Sequence, residues 1–146
     1  MNDAGPTRPS SESRRLAGVL LIVLPTVMYG GVTLLNLLVG DPSYMANPLR
    51  QNLWRAGHAH AGVLLVLALI ALRYVDEANL PARLKPIARS FIPLAAILMP
   101  AGFFLSMVSP ATTAPNSLIA LTYVGAVALA VGVVALGVGL LRSAAR

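Results

Sequence analysis

Apolar residues in this chain do not alternate with polar ones at a helical or a strand period. They run in four long blocks, with polar residues gathered between them. The blocks cover about residues 16–39, 51–74, 87–108 and 117–141, each near the ~20 residues that carry a helix across a bilayer. A helix apolar on every side sits in lipid or deep in protein. The pattern therefore predicts an all-α fold, an integral membrane four-helix bundle occupying residues 14–146 as one domain. Residues 1–13 are polar, hold Pro6 and Pro9, and read as a disordered tail.

The first block follows Arg14-Arg15 as the apolar region of a signal peptide would, but it is longer and has no small-x-small cleavage site, so it reads as a retained helix. Pro25 predicts a kink, and Tyr29-Gly30-Gly31 a place where another backbone or a ligand comes close. The link 40–50 carries Asp41, Pro42, Tyr44, Asn47 and Pro48, and is read as a short lid over the residues that follow it. Tyr44 and Trp54 suit the headgroup belt, where an amphipathic ring has one apolar and one wet side. Pro93 and Pro100 interrupt the third block. In the fourth, Ala128 and Gly132 make a small-xxx-small pair that predicts tight packing or oligomerisation.

Composition agrees: 57% of residues are hydrophobic and only 11% charged, far from an ordinary soluble domain. The net charge of +6 changes the picture only through its placement. Arg8, Arg14, Arg15, Arg73, Arg83, Lys85, Arg89, Arg142 and Arg146 lie in the N-terminal tail, the second link and the C-terminus, while only Arg50 and Arg55 lie at the opposite ends of the blocks. That asymmetry is the positive-inside pattern and predicts an even number of spans with both termini in the cytoplasm. The cations orient the chain and meet anionic membrane lipid, and no nucleic-acid partner is expected. With no cysteine, disulfides, iron–sulfur clusters and thiolate-ligated haem are excluded.

Candidate chemistry is concentrated in Trp54-Arg55-Ala56-Gly57-His58-Ala59-His60-Ala61-Gly62, which holds both histidines. Titratable groups inside a span usually persist for a task. At 100° per residue the two imidazoles point roughly 200° apart, so one helix cannot offer both to one ion. Arg55 and His58, three apart, share a face, and Arg55 is placed to hold a carboxylate such as a haem propionate. Burial keeps an imidazole neutral, the form that ligates. Three readings stand: interhelical hydrogen bonding, haem ligation, or a proton relay or copper site. For copper, Met28, Met45, Met99 and Met107 form no Met-x-Met or Met-x-x-Met cluster. No carboxylate lies within a span, and there is no phosphate loop or dinucleotide fingerprint. If the protein is an enzyme, a cofactor carries its chemistry.

The layout resembles the styrene oxide isomerases, small four-helix bacterial membrane proteins that bind haem b. Leu16-Ala17-Gly18 with Thr26-Val27-Met28-Tyr29-Gly30 and Leu38-Val39-Gly40 is similar to that family's first helix. Trp54 with His58 is similar to its Trp-x-x-x-His, whose histidine ligates the haem. Gly102-Phe103-Phe104-Leu105-Ser106 running to Ser109-Pro110 is similar to the end of its third helix. Ala59-His60-Ala61-Gly62 also resembles the family's Ala-His-small-Gly, which keeps His60 as the alternative ligand. The resemblance implies an epoxide-to-aldehyde Meinwald rearrangement of a small lipophilic substrate. In it ferric haem acts as Lewis acid, the C–O bond opens toward a benzylic cation, and a hydride shifts. It further implies Phe103, Phe104 and Tyr29 around the substrate, and a homotrimer with haem near subunit boundaries. Two departures stand out: Val63-Leu64-Leu65-Val66 where the family has an asparagine, and Phe103-Phe104 where it has a tyrosine. Both point away from styrene oxide itself. A non-enzymatic electron carrier or gas sensor, and a membrane subunit without cofactor, are the competing functions.

Overall fold

The computed structural model describes residues 8–145. Its helices are α1 (Ser11–Gly40), the short α2 (Pro42–Met45), α3 (Pro48–Tyr74), α4 (Lys85–Leu105) and α5 (Ala120–Ala144), the last entered through a 3-10 turn at Ser117–Ile119. Four of these are long and apolar enough to cross a membrane. No strand occurs among the described residues. The fold is the all-α multi-pass bundle that the four apolar blocks predict.

The long helices pack in series: α1 on α3, α3 on α4, and α4 on α5. One end of the bundle gathers both termini and the 75–84 link, through Ser10 N–H donating to Asp76 (2.9 Å) and Ser143 Oγ donating to the Glu77 carbonyl (2.6 Å). We call it the termini end. The other, the histidine end, carries α2 and the start of α3. The main apolar core joins Leu20 of α1, Leu65, Ala68 and Leu72 of α3, Ala88 and Ile92 of α4, and Leu136 of α5.

Several boundaries differ from the sequence reading. Residues 1–7 of the expected tail lie outside the described residues, and Ser11–Ser13 are helical rather than disordered. Ser10 caps α1, its Oγ accepting from Ser13 N–H, and Ser13 is fully buried. The serine run is thus a helix start. Helix α3 begins at Pro48 because Asn47 caps it through the Arg50 N–H, with proline at the first turn where no donor is needed. Helix α4 stops at Leu105, short of the expected Val108.

The small residues of α5 are used within the chain. A Cβ at Gly125 would meet Met99 at 2.5 Å, and one at Gly132 would meet Ile92 at 3.0 Å. From the α4 side, a Cβ at Gly102 would meet the Thr122 hydroxyl at 2.3 Å and its backbone nitrogen at 2.6 Å. Gly125, Ala128 and Gly132 are buried. Of the two uses expected for the small-xxx-small pair, the structure shows tight packing against α4.

Candidate functional site

The histidine end is built on the first turns of α3. Asp41 caps α2, its carboxylate accepting from Ser43 and Tyr44 N–H. The resulting turn drives Tyr44 fully into the protein, where its ring packs on Trp54 at 5.9 Å. Tyr44 is therefore covered by protein and does not offer its ring to the surroundings of the bundle. Helix α2 closes on Trp54, one turn short of His58, and is no lid over the imidazoles. Trp54 is tied to α4 by its indole N–H, which donates to the Phe104 carbonyl at 3.2 Å.

Arg50 is the residue sequence reasoning missed. It is buried, with Nε donating to the Met107 carbonyl (3.0 Å) and Nη2 to the Val108 carbonyl (3.1 Å). Both acceptors lie just past α4, where a helix leaves carbonyls without partners and favours a cation. The guanidinium also lies over the Trp54 ring at 4.1 Å and the Tyr44 ring at 5.7 Å. The Tyr44 hydroxyl beside it has no hydrogen-bond partner. Burial pushes the phenol's pKa up against the nearby charges of Arg50 and Arg55, so it remains a neutral O–H.

One helical turn further on, the two imidazoles part as their spacing requires. His58 faces α1: a Cβ at Gly31 would meet its Nε2 at 3.0 Å, and one at Gly30 its Nδ1 at 3.8 Å. The Gly30-Gly31 pair thus serves the close approach expected of it, and the approaching group is His58. His60 turns toward α4, its Nδ1 lying 2.7 Å from the Ala56 carbonyl and its ring 5.1 Å from that of Phe103. A carbonyl can only accept, so Nδ1 carries the proton in this contact.

Each imidazole borders a groove. His58 lines one of about 420 Å³ with Val27, Ala59, Gly62, Val63 and Val66. His60 lines one of about 140 Å³ with Ala59, Val63 and Leu64. The grooves share Ala59 and Val63, so the histidines flank one outward strip of α3. Only the larger lies within the ~300–1,000 Å³ typical of ligand sites. It is open toward the surroundings of the bundle, and its floor is small and apolar.

The remaining candidates scatter. Arg55 is exposed, with no ion pair among the described residues. Tyr29 is 74% exposed on α1. Phe103 and Phe104 pack against Gly57, where an added Cβ would meet them at 3.0 and 3.1 Å. Gly57 and His60 share the α4 side of α3, while His58 lies on the α1 side. Within one chain, then, Phe103 and Phe104 do not wall the groove of His58, and neither does Tyr29. Among the described residues no three His or carboxylate side chains converge on a point that could hold a bare metal ion. Comparison with family models, curated proteins and solved structures finds no match to this chain.

Proposed function

We propose that the protein binds haem b in the groove between α1 and α3, with His58 as the single protein ligand. The observation that carries this reading is the pairing of that imidazole with the 420 Å³ apolar groove. No hydrogen bond commits either ring nitrogen of His58, unlike His60. Haem, unlike a bare ion, needs only one imidazole from the protein. The Ala59 and Gly62 floor leaves room for a flat group, and Gly30-Gly31 leave room for the imidazole beside α1. Arg55, on the same face as His58 and exposed, would hold a propionate.

One specific observation favours His60 instead. A bond from Nδ1–H to a carbonyl is the outer-shell contact that orients ligating histidines. Its groove of about 140 Å³, with Phe103 against the ring, argues for His58.

As to activity, we take the resemblance to the styrene oxide isomerases as the best guide: rearrangement of a lipophilic epoxide to a carbonyl compound. Bound haem would supply a Lewis-acidic iron, and nothing is oxidised or reduced overall. The chain's own contribution is an apolar, water-poor surface of Val27, Val63 and Val66 that takes a lipophilic substrate from the membrane. No carboxylate lines that surface, and His58, its one titratable side chain, would be taken up as the ligand, which suits a reaction needing no external proton. A homotrimer in the bacterial inner membrane, termini inward, completes the proposal: a second copy over the strip between the histidines would close the groove and bring aromatic side chains to it. The test is the visible spectrum and pyridine haemochrome of the purified protein, followed by epoxide turnover. A Soret band near one haem per chain, with aldehyde formed, is expected. A Soret band without turnover would favour the electron carrier or gas sensor, and a colourless protein expressed with ample haem would refute haem binding.

A further inference from the structure

At the termini end, the seam between α1 and α3 opens into a second crevice, of about 220 Å³. Its floor is Ala17, Leu69 and Leu72, and Arg14 and Arg73 stand at its rim. The charges at this end do not balance evenly. Glu12 and Asp76 both turn to Arg89, and Glu77 pairs with Arg73 one turn away. Arg14 is left with no carboxylate among the described residues. Two guanidiniums above an apolar floor, at the level where the spans end, fit an amphiphile with an anionic head. A free anion would gain nothing from the floor, and a neutral lipid nothing from the charge of Arg14.

We propose that this crevice binds an anionic phospholipid. Arg14 and Arg73 would hold the phosphodiester, and an acyl chain would lie on Ala17, Leu69 and Leu72. The site is separate from the groove of His58 and does not depend on haem. It also differs from the diffuse attraction of a basic membrane face, because it assigns the preference to two of the arginines at this end and not to the others.

The test is native mass spectrometry of the full chain in detergent, titrated with phosphatidylglycerol or phosphatidylcholine. Arg14→Gln/Arg73→Gln should reduce the preference for phosphatidylglycerol by about thirty-fold, since each arginine at a membrane surface contributes about five-fold. Arg83→Gln/Arg142→Gln removes the same charge from the same end but from outside the crevice, and should reduce the preference far less than thirty-fold. Circular dichroism reports whether each variant folds. If the first pair does not, Arg14→Gln alone should still lose about five-fold, because that exposed side chain makes no ion pair among the described residues. Equal losses in the two pairs would show diffuse attraction and overturn the site. Inorganic phosphate displacing the lipid at equal concentration would show an anion site without an acyl floor, and would overturn it too.

Discussion

Two arginines, Arg50 buried and Arg89 half-buried, hold the two ends of this bundle by different chemistry. At the termini end, Arg89 donates to Asp76 at 2.9 Å and to Ser13 at 3.1 Å, and pairs with Glu12. At the histidine end, Arg50 meets only carbonyl oxygens and aromatic faces. The first is an ion-pair clasp whose strength depends on a titrating carboxylate. The second has no hydrogen-bond partner that changes charge, since both of its acceptors are backbone carbonyls. A charge can thus be buried near the candidate site without a carboxylate in contact with it.

The largest effect should come from Arg89→Ala, which strands Asp76 in a mostly buried position. Losing one partner of such a pair should cost about 3 kcal/mol, read as a lowered unfolding midpoint in detergent. Acid should give the next largest effect. Burial alone would raise the Asp76 pKa, but hydrogen bonds from Ser13, Ser10 and Arg89 outweigh it and hold it at about 2 against an ordinary 3.8. A depressed carboxylate stabilises the fold fully above its unfolded value and loses that contribution as pH falls through the folded one. The loss should therefore run from near pH 4 down to about 2 and amount to on the order of 2 kcal/mol. Stability measured across that window checks it, and in Arg89→Ala the acid step should shrink.

At the other end, Arg50→Lys keeps the charge but loses the planar fork and its stacking on Trp54. It should cost about 1.5 kcal/mol, with no acid step of its own. If Arg50→Lys were as stable as the parent, charge alone would explain the histidine end and the contrast would fail. Smallest is Tyr44→Phe, which removes a buried hydroxyl without a partner. It should be neutral or stabilising by up to about 1 kcal/mol, whereas a loss of stability would show that the hydroxyl is satisfied.

Much of this was legible in the sequence, for reasons that separate the two ends. Length and hydropathy fix the spans because a bilayer demands them, and the roughly 200° between His58 and His60 follows from helix geometry alone. Which neighbour each imidazole faces depends on the order in which helices pack, and no local pattern records it. For that reason the sequence does not say that Phe103 and Phe104 lie across α3 from His58 within one chain. Arg50 was hidden differently. Its position at the start of a span reads as a surface charge, and its burial follows from α4 ending at Leu105, which frees carbonyls 57 and 58 residues away. The serine run before Arg14 did carry a readable signal, since Ser10 sits where an N-cap belongs.

The most direct test of the central claim is the Soret band of His58→Gly with and without added imidazole, beside His60→Gly. The account predicts that His58→Gly loses the band and that imidazole restores it, while His60→Gly keeps it throughout. A band unchanged in His58→Gly, or lost only in His60→Gly, would contradict the assignment of the groove between α1 and α3.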